Sequence, residues 1–547
     1  MTDPAHASTR FDVVVVGAGL AGLYALHRFR ARGLSVQVVE AAPDIGGTWY
    51  WNAYPGARCD VESMDYSYSF SPELDQEWTW SELYPAQPEI LSYIHHVADR
   101  FDLRRDVRLS TTVQHATYDE ERCRWAIGLD AGEILDAQYV VFATGSLSAP
   151  LDPPFAGFDT FEGEWYQTSR WPRREVSFEG KRVAVIGTGS SGVQSIPVIA
   201  ETAAEVRVFQ RTPNFSIPAR NRPLDPDEVA ARKAVYPAHR QAQRNSPSGV
   251  TVDVNPRSAH TYAPAEAQAE MRRRWDVGGA PIFNVAFVDT MTDIEANTLL
   301  ADFVRDRIRE KVEDPATAEL LVPTDHPIAA KRLCCDTDYF ETYNADHVHL
   351  VDVRSNPIRR IVPAGVELDD GTLHEVDTIV YAVGYDALSG ALGRIDIRGT
   401  GGRCLADEWR DAGGPTTYLG LAVHGFPNMF TVTGPGSPAV LAVMIVAIEQ
   451  HVEWIDDCLA HLADQGLGVI EATEVAQKEW TDRVEDVIQG TVFPLATNSY
   501  YGGANVPGKW RRIPLWAGGQ KAYRDICDEV ADNGYEGFTL RPAPEGA

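Results

Sequence analysis

Two glycine-rich turns, each placed between an apolar run and a helical pattern, constrain the fold of this chain most strongly. The first turn, Gly17-Ala-Gly19-Leu-Ala-Gly22, directly follows the apolar run Phe11 to Val16. Such a β-branched run is typical of a strand buried on both faces of a parallel sheet. The glycines let the backbone and the N-terminus of the following helix approach a pyrophosphate. The turn therefore predicts a dinucleotide-binding unit.

Glu40 ends the strand that follows the first turn. It stands 18 residues after Gly22 and directly follows the apolar run Ser35 to Val39. An acid at this place can bind the hydroxyls of a ribose. A lone glycine triplet is weak evidence, but the order of strand, turn, helix, strand and acid is much more specific. We therefore predict that the first unit binds FAD.

The second unit repeats this order with a different ending. The run Lys181 to Ile186 precedes the turn Gly187-Thr188-Gly189-Ser190-Ser191-Gly192, and a strand from Val206 to Phe209 follows. No acid ends that strand, and Arg211 and Thr212 fall near the ribose-reading position instead. A cation there can pair with a ribose 2′-phosphate, which an acid would repel. We therefore predict NADPH in the second unit, although a surface arginine would give the same pattern.

Two further segments are rich in aromatic residues. Gly46 to Asp60 combines glycines, Trp, Tyr and turn-forming residues. This density favours a loop packed on a planar ligand, although an aromatic core loop would have the same composition. Phe161 to Pro172 lies between the two units and contains Gly163 and Trp171. Composition alone favours a connector whose aromatic residues hold two domains together.

Composition limits the partners and the compartment of the protein. A net charge of −29 argues against binding to nucleic acid or to anionic membranes. The seven cysteines do not have the spacing of a disulfide framework, which predicts reduced thiols. The polar N-terminal segment does not have the pattern of a secretory signal, so we expect a cytoplasmic protein. The longest apolar run, Ala439 to Ile448, is far shorter than the ~20 residues that span a bilayer, and we predict an apolar helix from Ala439 to Trp454 there. No group of residues has the spacing of metal ligands, so no metal is predicted.

The length of the chain predicts more than one domain, because 547 residues are too many for a single core. We expect an α/β fold with two Rossmann-like dinucleotide-binding domains and a helical insertion in the second. The predicted FAD-binding domain is discontinuous and comprises residues 1–152 and 380–547. The predicted NADPH-binding domain comprises residues 153–223 and 327–379, and residues 224–326 form the insertion.

Several motifs together resemble those of one family, the type I Baeyer–Villiger monooxygenases, in particular its phenylacetone and steroid monooxygenase branch. Besides the two glycine-rich turns, they are Phe161 to Pro172, Lys331-Arg332, Gly434-Pro-Gly-Ser-Pro438 and Gly503 to Gly508. One position departs from the family pattern Phe-x-Gly-x-x-x-His-x-x-x-Trp-Pro. Gln167 stands in the place of the His, and Gln cannot change its charge near neutral pH.

This resemblance implies a function and its partners. The family binds FAD tightly, takes electrons from NADPH and uses O₂ to convert ketones to esters or lactones through a C4a-peroxyflavin, an activity of the EC 1.14.13 class. The oxygen chemistry comes from the cofactor, and the protein supplies binding, orientation and charge. The expected partners are a small-molecule ketone and O₂, with no metal.

The resemblance also implies roles for single residues. Arg332 matches the catalytic arginine and Asp60 its partner, and a permanent cation suits the negative charge that develops on oxygen. Tyr500 stands where relatives carry a Trp that contacts the nicotinamide nucleotide. The predicted cofactor contacts are Gly17, Gly19, Gly22, Glu40, Gly47, Thr48, Trp49, Arg58, Asp60, Tyr66, Val113, Gly187, Thr188, Gly189, Ser190, Ser191, Gly192, Gln194, Arg211, Thr212, Lys331, Arg332, Met444 and Tyr500. The predicted substrate pocket is formed by Pro438, Ala439, Val440 and Leu441.

The residues leave two other functions open. An N- or S-oxygenating flavin monooxygenase has a related architecture, and Trp171-Pro172 together with the Arg332 region favours ketone oxidation over it. A module that binds FAD and NADPH without catalysis is supported only by Gln167. Lys331 and Arg332 would then be an ordinary solvated charge pair. The residues leave linear, cyclic, aromatic and steroidal ketones open as substrates.

Overall fold

The computed structural model describes residues 9–544. Within this range the strands are β1 (Thr9–Val16), β2 (Val36–Val39), β3 (Val107–Arg108), β4 (Val113–Asp119), β5 (Arg124–Leu129), β6 (Ile134–Phe142), β7 (Glu164–Gln167), β8 (Arg182–Ile186), β9 (Glu205–Gln210), β10 (Ser216–Pro218), β11 (Cys334–Asp336), β12 (Val348–Asp352), β13 (Ile358–Val362), β14 (Gly365–Leu368), β15 (Leu373–Glu375), β16 (Thr378–Tyr381), β17 (Asp396–Arg398), β18 (Met429–Thr431), β19 (Val469–Ala472) and β20 (Phe538–Arg541).

The α-helices of the same range are α1 (Leu20–Ala31), α2 (Thr48–Trp51), α3 (Pro72–Glu77), α4 (Gln87–Arg100), α5 (Ser190–Ala200), α6 (Pro226–Ala234), α7 (Tyr236–Arg244), α8 (Pro264–Val277), α9 (Ala280–Asn284), α10 (Ile294–Lys311), α11 (Pro315–Leu321), α12 (Gly390–Gly393), α13 (Leu405–Asp411), α14 (Met444–Asp464), α15 (Glu474–Gln489) and α16 (Gln520–Asp532). No helix within residues 9–544 is both long enough and apolar enough to cross a membrane.

The first sheet is built around β1, which is buried between two parallel neighbours. The strand order is β17-β4-β5-β6-β1-β2-β3, and β18 pairs with β6. In β1, Val13 lies opposite Val36 of β2 and Tyr139 of β6. The valines of β1 have almost no exposed surface, as expected for a strand covered on both faces. The strand and the turn predicted from Phe11 onwards are thereby confirmed.

The second sheet is entirely parallel, with the order β12-β9-β8-β16-β7. Its central strand β8 leads through the second glycine-rich turn into α5, as β1 leads into α1. The sheet order places β16 beside β8, although almost 200 residues separate them in the chain. The α/β fold with two Rossmann-like units is therefore as predicted. The domain boundaries given above stay predictions.

The helical insertion lies between β10 and β11, which pair in parallel from Ser216 and Cys334 onwards. Its helices divide between the two units. Helices α8 to α11 pack into the core of the second unit, whereas α6 and α7 pack on the first. In α7, Arg240 forms an ion pair of 2.6 Å with Asp75, and both side chains are buried. The insertion therefore holds the two units together instead of belonging to the second alone.

The C-terminal part of the chain returns to the first unit. Helix α14 packs along α1, and Arg28 pairs with Asp456 at 2.7 Å. A helix from Ala439 to Trp454 was expected here, and that expectation is wrong at both ends. Residues Ala439–Leu441 form a separate short 3₁₀ turn, and α14 begins only at Met444. Ala439 has a φ of 41°, which a continuous α-helix does not allow.

Candidate active site

A cavity of about 850 Å³ lies between the two glycine-rich units and the C-terminal segment. The wall of the cavity is mainly apolar, and its polar residues come from all three of these parts of the chain. The predicted site residues that line it are Gly17, Gly19, Glu40, Gly47, Thr48, Trp49, Arg58, Asp60, Tyr66, Val113, Ser190, Gln194, Lys331, Arg332, Pro438, Val440, Leu441, Met444 and Tyr500. The fold therefore brings together residues that lie as much as several hundred positions apart in the chain.

The first glycine-rich turn forms a cradle that only glycine fits. A Cβ at Gly22 would lie 1.8 Å from the carbonyl oxygen of Gly17, and Gly17 itself has a φ of 107°. Helix α1 begins beside Gly19 without a side-chain cap, so its first N–H groups are available to an anion. Glu40 is buried at the end of β2 and accepts hydrogen bonds from the N–H of Ala18 at 2.6 Å and of Ala42 at 2.8 Å.

Burial raises the pKa of the Glu40 carboxyl above its ordinary value, against the effect of these N–H groups. A ribose hydroxyl that donates to the charged carboxylate would favour the ionised form. The cradle, the uncapped helix and the acid at the cavity wall together fit the dinucleotide end of FAD.

The aromatic segment between Gly46 and Asp60 lines the cavity and also contacts the second unit. Trp49 donates its indole N–H to the hydroxyl oxygen of Tyr66 at 3.1 Å, and both rings are buried in the wall. Tyr54 donates its hydroxyl to Oε1 of Gln194 at 2.8 Å, and Nε2 of Gln194 donates to the carbonyl of Arg58 at 3.0 Å. The segment is therefore a cavity loop that is bonded to α5, and its aromatic wall suits a planar ring system.

Arg332 and Asp60 form a two-pronged ion pair at the meeting point of the walls. The Nε of Arg332 donates to Oδ2 of Asp60 at 3.0 Å, and its Nη2 donates to Oδ1. A third N–H, on Nη1, donates to the carbonyl of Val440 at 3.3 Å. The Asp60 carboxylate raises the pKa of the guanidinium further above its ordinary value, so Arg332 is permanently charged. Its side chain keeps 36% of its surface exposed, which leaves the cation accessible from the cavity.

Two cations beside the second glycine-rich turn have no ion-pair partner. Lys331 and Arg211 form no salt bridge within residues 9–544. Burial lowers the pKa of Lys331 to about 8, helped by the neighbouring charge of Arg211 and opposed by that of Asp325. At Gly189, where α5 begins, a Cβ would meet nothing within 4 Å, so the space in front of the helix is open. Two unpaired cations beside an open helix N-terminus fit a phosphorylated dinucleotide.

Some predicted residues do not line the cavity. Gly22, Gly187 and Gly192 pack against backbone behind the cavity. Arg211 and Thr212 directly follow β9 of the second sheet. The residues in this group are Gly22, Gly187, Thr188, Gly189, Ser191, Gly192, Arg211, Thr212 and Ala439. Ala439 is 0% exposed and packs in a cluster with Phe493 and Tyr501, so its predicted place in the substrate pocket stays a prediction. The left-handed backbone of Ala439 turns the chain between Pro438 and Val440.

The structure adds residues that the sequence analysis did not identify. Tyr501 lies in the wall with its ring centroid 4.5 Å from that of Tyr500, and it is 3% exposed. Both hydroxyls lie within the electrostatic reach of Arg332. Adjacent tyrosines in a glycine-rich loop were a usable signal for this pair. Gln520 and Trp516 also line the cavity, but they belong to the last helix and the loop before it, which no motif marks.

Gln167 lies at the junction of the two units and not in the cavity wall. It is buried, and its Nε2 donates to the carbonyl of Leu151 at 2.5 Å. Leu151 in turn donates its N–H to the carbonyl of Gly384 at 3.1 Å. The two chain segments that connect the units, at Leu151 and at Gly384, are thus hydrogen-bonded to each other. Gln167 is hydrogen-bonded to the segment at Leu151.

Restoring His at this position should therefore change the activity only modestly. A Gln167→His variant loses or rearranges one hydrogen bond, which corresponds to at most about a tenfold effect on kcat. The pH dependence of kcat should keep its wild-type shape, because the side chain does not face the cavity. Steady-state kinetics across the pH range test this. A new ionisation in the profile of the variant would show that the position carries a proton during turnover.

The family model described as pyridine nucleotide-disulphide oxidoreductase matches residues 11–227. An acetone monooxygenase (methyl acetate-forming) of Gordonia sp. (strain TY-5) is 40% identical over 536 residues, which is 98% of this chain and all of the relative. A Baeyer-Villiger monooxygenase of Pseudooceanicola batsensis is 39% identical over 96% of this chain and 95% of its own length. A phenazine N-monooxygenase of Lysobacter antibioticus is 40% identical over 98% of each chain.

Solved structures also match over nearly the whole chain. Oxidized steroid monooxygenase bound to NADP has a TM-score of 0.93 and is 49% identical, covering 98% of this chain and all of its own. The OTEMO complex with FAD and NADP has a TM-score of 0.94 and is 39% identical, covering 97% of this chain and all of its own. Full-length relatives of this kind, together with the cavity described above, place the chain in the Baeyer–Villiger monooxygenase family.

Proposed function

We propose that the protein binds FAD in the first unit and NADPH in the second, and uses O₂ to convert ketones to esters or lactones. The Arg332–Asp60 pair carries this proposal, because it places a permanent cation at the point where the predicted flavin, nicotinamide and substrate contacts meet. When bound, the two cofactors supply the electrons and the activation of O₂. The membership of the family, and the FAD and NADP of a matching structure, support this assignment.

Arg332 is suited to hold negative charge that develops on oxygen during ketone oxidation. Its charge does not depend on pH in the working range, whereas that of a half-buried lysine such as Lys331 does. Asp60 fixes the plane of the guanidinium through two hydrogen bonds, and the carbonyl of Val440 fixes its remaining edge. A cation that is oriented before the reaction stabilises charge without first having to reorganise.

The segment from Pro438 to Leu441 supports the cation from the substrate side. Val440 contacts Arg332 through its carbonyl, and Pro438, Val440 and Leu441 line the cavity with apolar side chains. An apolar wall excludes water. This strengthens the electrostatic interactions of the Arg332 charge and limits side reactions of activated oxygen. We propose that this wall holds the hydrocarbon part of the ketone.

The cofactor preference should depend on pH because of Lys331. Arg211 and Lys331 are proposed to pair with the 2′-phosphate of NADPH, and loss of one such contact costs roughly 10–100-fold in affinity. Arg211→Ala should therefore lower the ratio of kcat/KM for NADPH over NADH by that factor. Lys331 is charged below its pKa of about 8 and becomes neutral above it, so the wild-type ratio should fall as the pH rises through 8.

Steady-state kinetics with both nucleotides between pH 6.5 and about 9.5 measure this ratio. Lys331→Met should lower it at pH 7 and abolish its pH dependence. Arg211→Ala should keep that dependence but move it to higher pH, because the charge of Arg211 lowers the pKa of Lys331. Equal efficiency with NADH, or a ratio that rises with pH in the wild type, would contradict the assignment of the second unit.

The experiment for the proposed reaction is a panel of substrates with product identification by mass spectrometry. Linear, cyclic, aromatic and steroidal ketones are offered beside a thioether, an amine and a phenazine, since one relative is named for N-oxygenation. We expect esters or lactones from at least one ketone class, with consumption of NADPH. An N-oxide or sulfoxide without any ester would favour the N- or S-oxygenating alternative. NADPH oxidation without any organic product would favour a non-catalytic binding module.

We also propose a cytoplasmic location and the domain boundaries given in the sequence analysis. All seven cysteines are unpaired, and six of them are buried, which supports a reducing compartment. The proposed activity EC 1.14.13 rests on the use of NADPH as the electron donor and of O₂ as the oxidant.

A further inference from the structure

The hydroxyl of Tyr501 opens onto the cavity and has no partner in the protein. Tyr501 lines the cavity and is 3% exposed. Within residues 9–544 its hydroxyl forms no hydrogen bond, yet it does not belong to the unpaired side-chain atoms that are fully buried. The hydroxyl therefore keeps accessible surface on the wall that Tyr501 forms. A phenol group donates one hydrogen bond and can also accept, so the wall presents a polar position here.

Packing and a backbone bond fix the position of this hydroxyl. The ring centroid of Tyr501 lies 5.9 Å from that of Phe493 and 4.5 Å from that of Tyr500, and Leu515 belongs to the same buried cluster. The backbone N–H of Tyr501 donates to Oγ of Ser499 at 3.3 Å. The hydroxyl of Tyr500 lies close by, but the two hydroxyls do not meet the geometry of a hydrogen bond. A donor on a ring held in this way is oriented before a ligand arrives.

Tyr501 and Arg332 both contact the predicted substrate segment. Ala439 packs in the same buried cluster as Tyr501, and the carbonyl of Val440 accepts from Nη1 of Arg332 at 3.3 Å. Burial raises the pKa of the Tyr501 hydroxyl above its ordinary value, and the charge of Arg332, which reaches this hydroxyl, opposes that shift. Three of the five N–H groups of Arg332 are hydrogen-bonded within residues 9–544, so two remain for a ligand.

We propose that Tyr501 donates its hydroxyl hydrogen to the carbonyl oxygen of the ketone, beside the guanidinium of Arg332. This inference rests on the proposed function and adds a second group that contacts the reacting carbonyl. When an oxygen atom is added to the carbonyl carbon, the electron pair of the C=O bond moves to the carbonyl oxygen, which becomes negative. A neutral donor and a cation at the same oxygen stabilise that charge together. The hydroxyl itself keeps its proton, because its raised pKa leaves it protonated near neutral pH.

Tyr118 is a matched control, because it differs from Tyr501 in where its hydroxyl lies. It belongs to β4 and is 5% exposed, and its hydroxyl also lacks a hydrogen-bond partner within the described residues. Unlike Tyr501, it does not line the cavity, and its hydroxyl is fully buried. Phenylalanine at either position removes one oxygen atom and keeps the ring. A difference between the two variants therefore reports on the cavity position of the hydroxyl.

The test reads the hydrogen bond from the carbonyl itself, without turnover. The probes are cyclohexanone, 2-octanone and phenylacetone, each labelled with carbon-13 at the carbonyl. They are bound to the FAD-loaded protein in the presence of NADP⁺, and isotope-difference infrared spectra record the C=O stretch. A hydrogen bond weakens the C=O bond, so Tyr501→Phe should shift the stretch of a bound ketone to higher frequency. Tyr118→Phe should keep the wild-type frequency.

Two rates accompany the spectra. Tyr501→Phe should form ester about 10–100-fold more slowly than the wild type, which is the usual effect of one lost hydrogen bond. Its flavin should be reduced by NADPH at the wild-type rate, since the hydroxyl is proposed to contact the ketone and not the nucleotide. Tyr118→Phe should match the wild type in both rates. If Tyr501→Phe does not bind FAD, Tyr501→Met carries the same comparison.

Three results would overturn the inference. The C=O stretch of a bound ketone stays unchanged in Tyr501→Phe; the affinity for NADP⁺ falls in this variant while the stretch stays unchanged, which would assign the hydroxyl to the nucleotide; or none of the three ketones binds to the wild type, in which case the proposed function fails as well. A shifted stretch without any ester from the wild type would support the contact at Tyr501 and contradict the proposed function, so the two failures are distinguishable.

Discussion

Replacing Arg332 by alanine should lower ester formation by about 10²–10³-fold, the usual loss when one preorganised electrostatic contact is removed from an active site. Reduction of bound FAD by NADPH should continue, because the glycine-rich turns and the unpaired cations beside the second one are unchanged. The electrons that no longer reach a product should appear as hydrogen peroxide. Stopped-flow measurement of flavin reduction, beside assays of ester and peroxide, separates the two half-reactions.

Two companion variants sharpen this prediction. Arg332→Lys keeps a charge but loses the two-pronged bond to Asp60, so it should retain only part of the ester formation. Asp60→Asn keeps the shape of the site but removes the counter-charge that orients the guanidinium, and it should also fall below the wild type. Near wild-type ester formation by Arg332→Ala would show that another group holds the developing charge.

Replacing Gly22 by alanine should prevent the protein from folding and from binding FAD. A Cβ there would lie 1.8 Å from the carbonyl oxygen of Gly17, in a turn fixed between β1 and α1. Neither backbone can move without disturbing the parallel strands, so Gly22→Ala should cost more than about 3 kcal/mol of stability. We expect little soluble protein and no bound flavin. Thermal unfolding and the FAD content of the purified variant measure this.

Gly393→Ala is the matched control for this prediction. Gly393 ends the short helix α12, and a Cβ there would meet nothing within 4 Å. The control should therefore fold, bind FAD and keep its unfolding temperature within a few degrees, as a change of about 1 kcal/mol or less implies. Normal FAD content in Gly22→Ala would contradict the geometry described for the first turn.

The parts of the fold that could be predicted are those set by local rules. The runs before Gly17 and Gly187 are strands because buried parallel strands need continuous β-branched residues, and the glycines that follow are needed where backbones touch. The helix expected from Ala439 failed because apolar composition does not reveal a left-handed residue. The division of the insertion between the two units also depends on tertiary packing, which a shift in composition cannot show.

The candidate site shows the same distinction between features set by local sequence and features set by tertiary packing. Arg332, Asp60, Glu40 and the two turns belong to motifs that can be recognised in the sequence. The fold brings the three charged residues, Gly17 and Gly19 of the first turn and Ser190 of the second to one cavity. Gln520 and Trp516 belong to no motif, and only the folded structure shows that they line the cavity. The lowered pKa of Lys331 likewise arises from burial and from Arg211, which lies 120 residues away in the chain. Interactions between distant segments are the part that sequence patterns do not contain.

The most direct test of the proposed function is isotopic. The FAD-loaded protein is given NADPH and a ketone from the responsive class under oxygen-18 gas, and the product is analysed by mass spectrometry. We predict an ester or lactone that contains one oxygen-18 atom, formed in proportion to the NADPH consumed. Recovery of the unchanged ketone, with all NADPH oxidation ending in labelled hydrogen peroxide, would contradict the assignment.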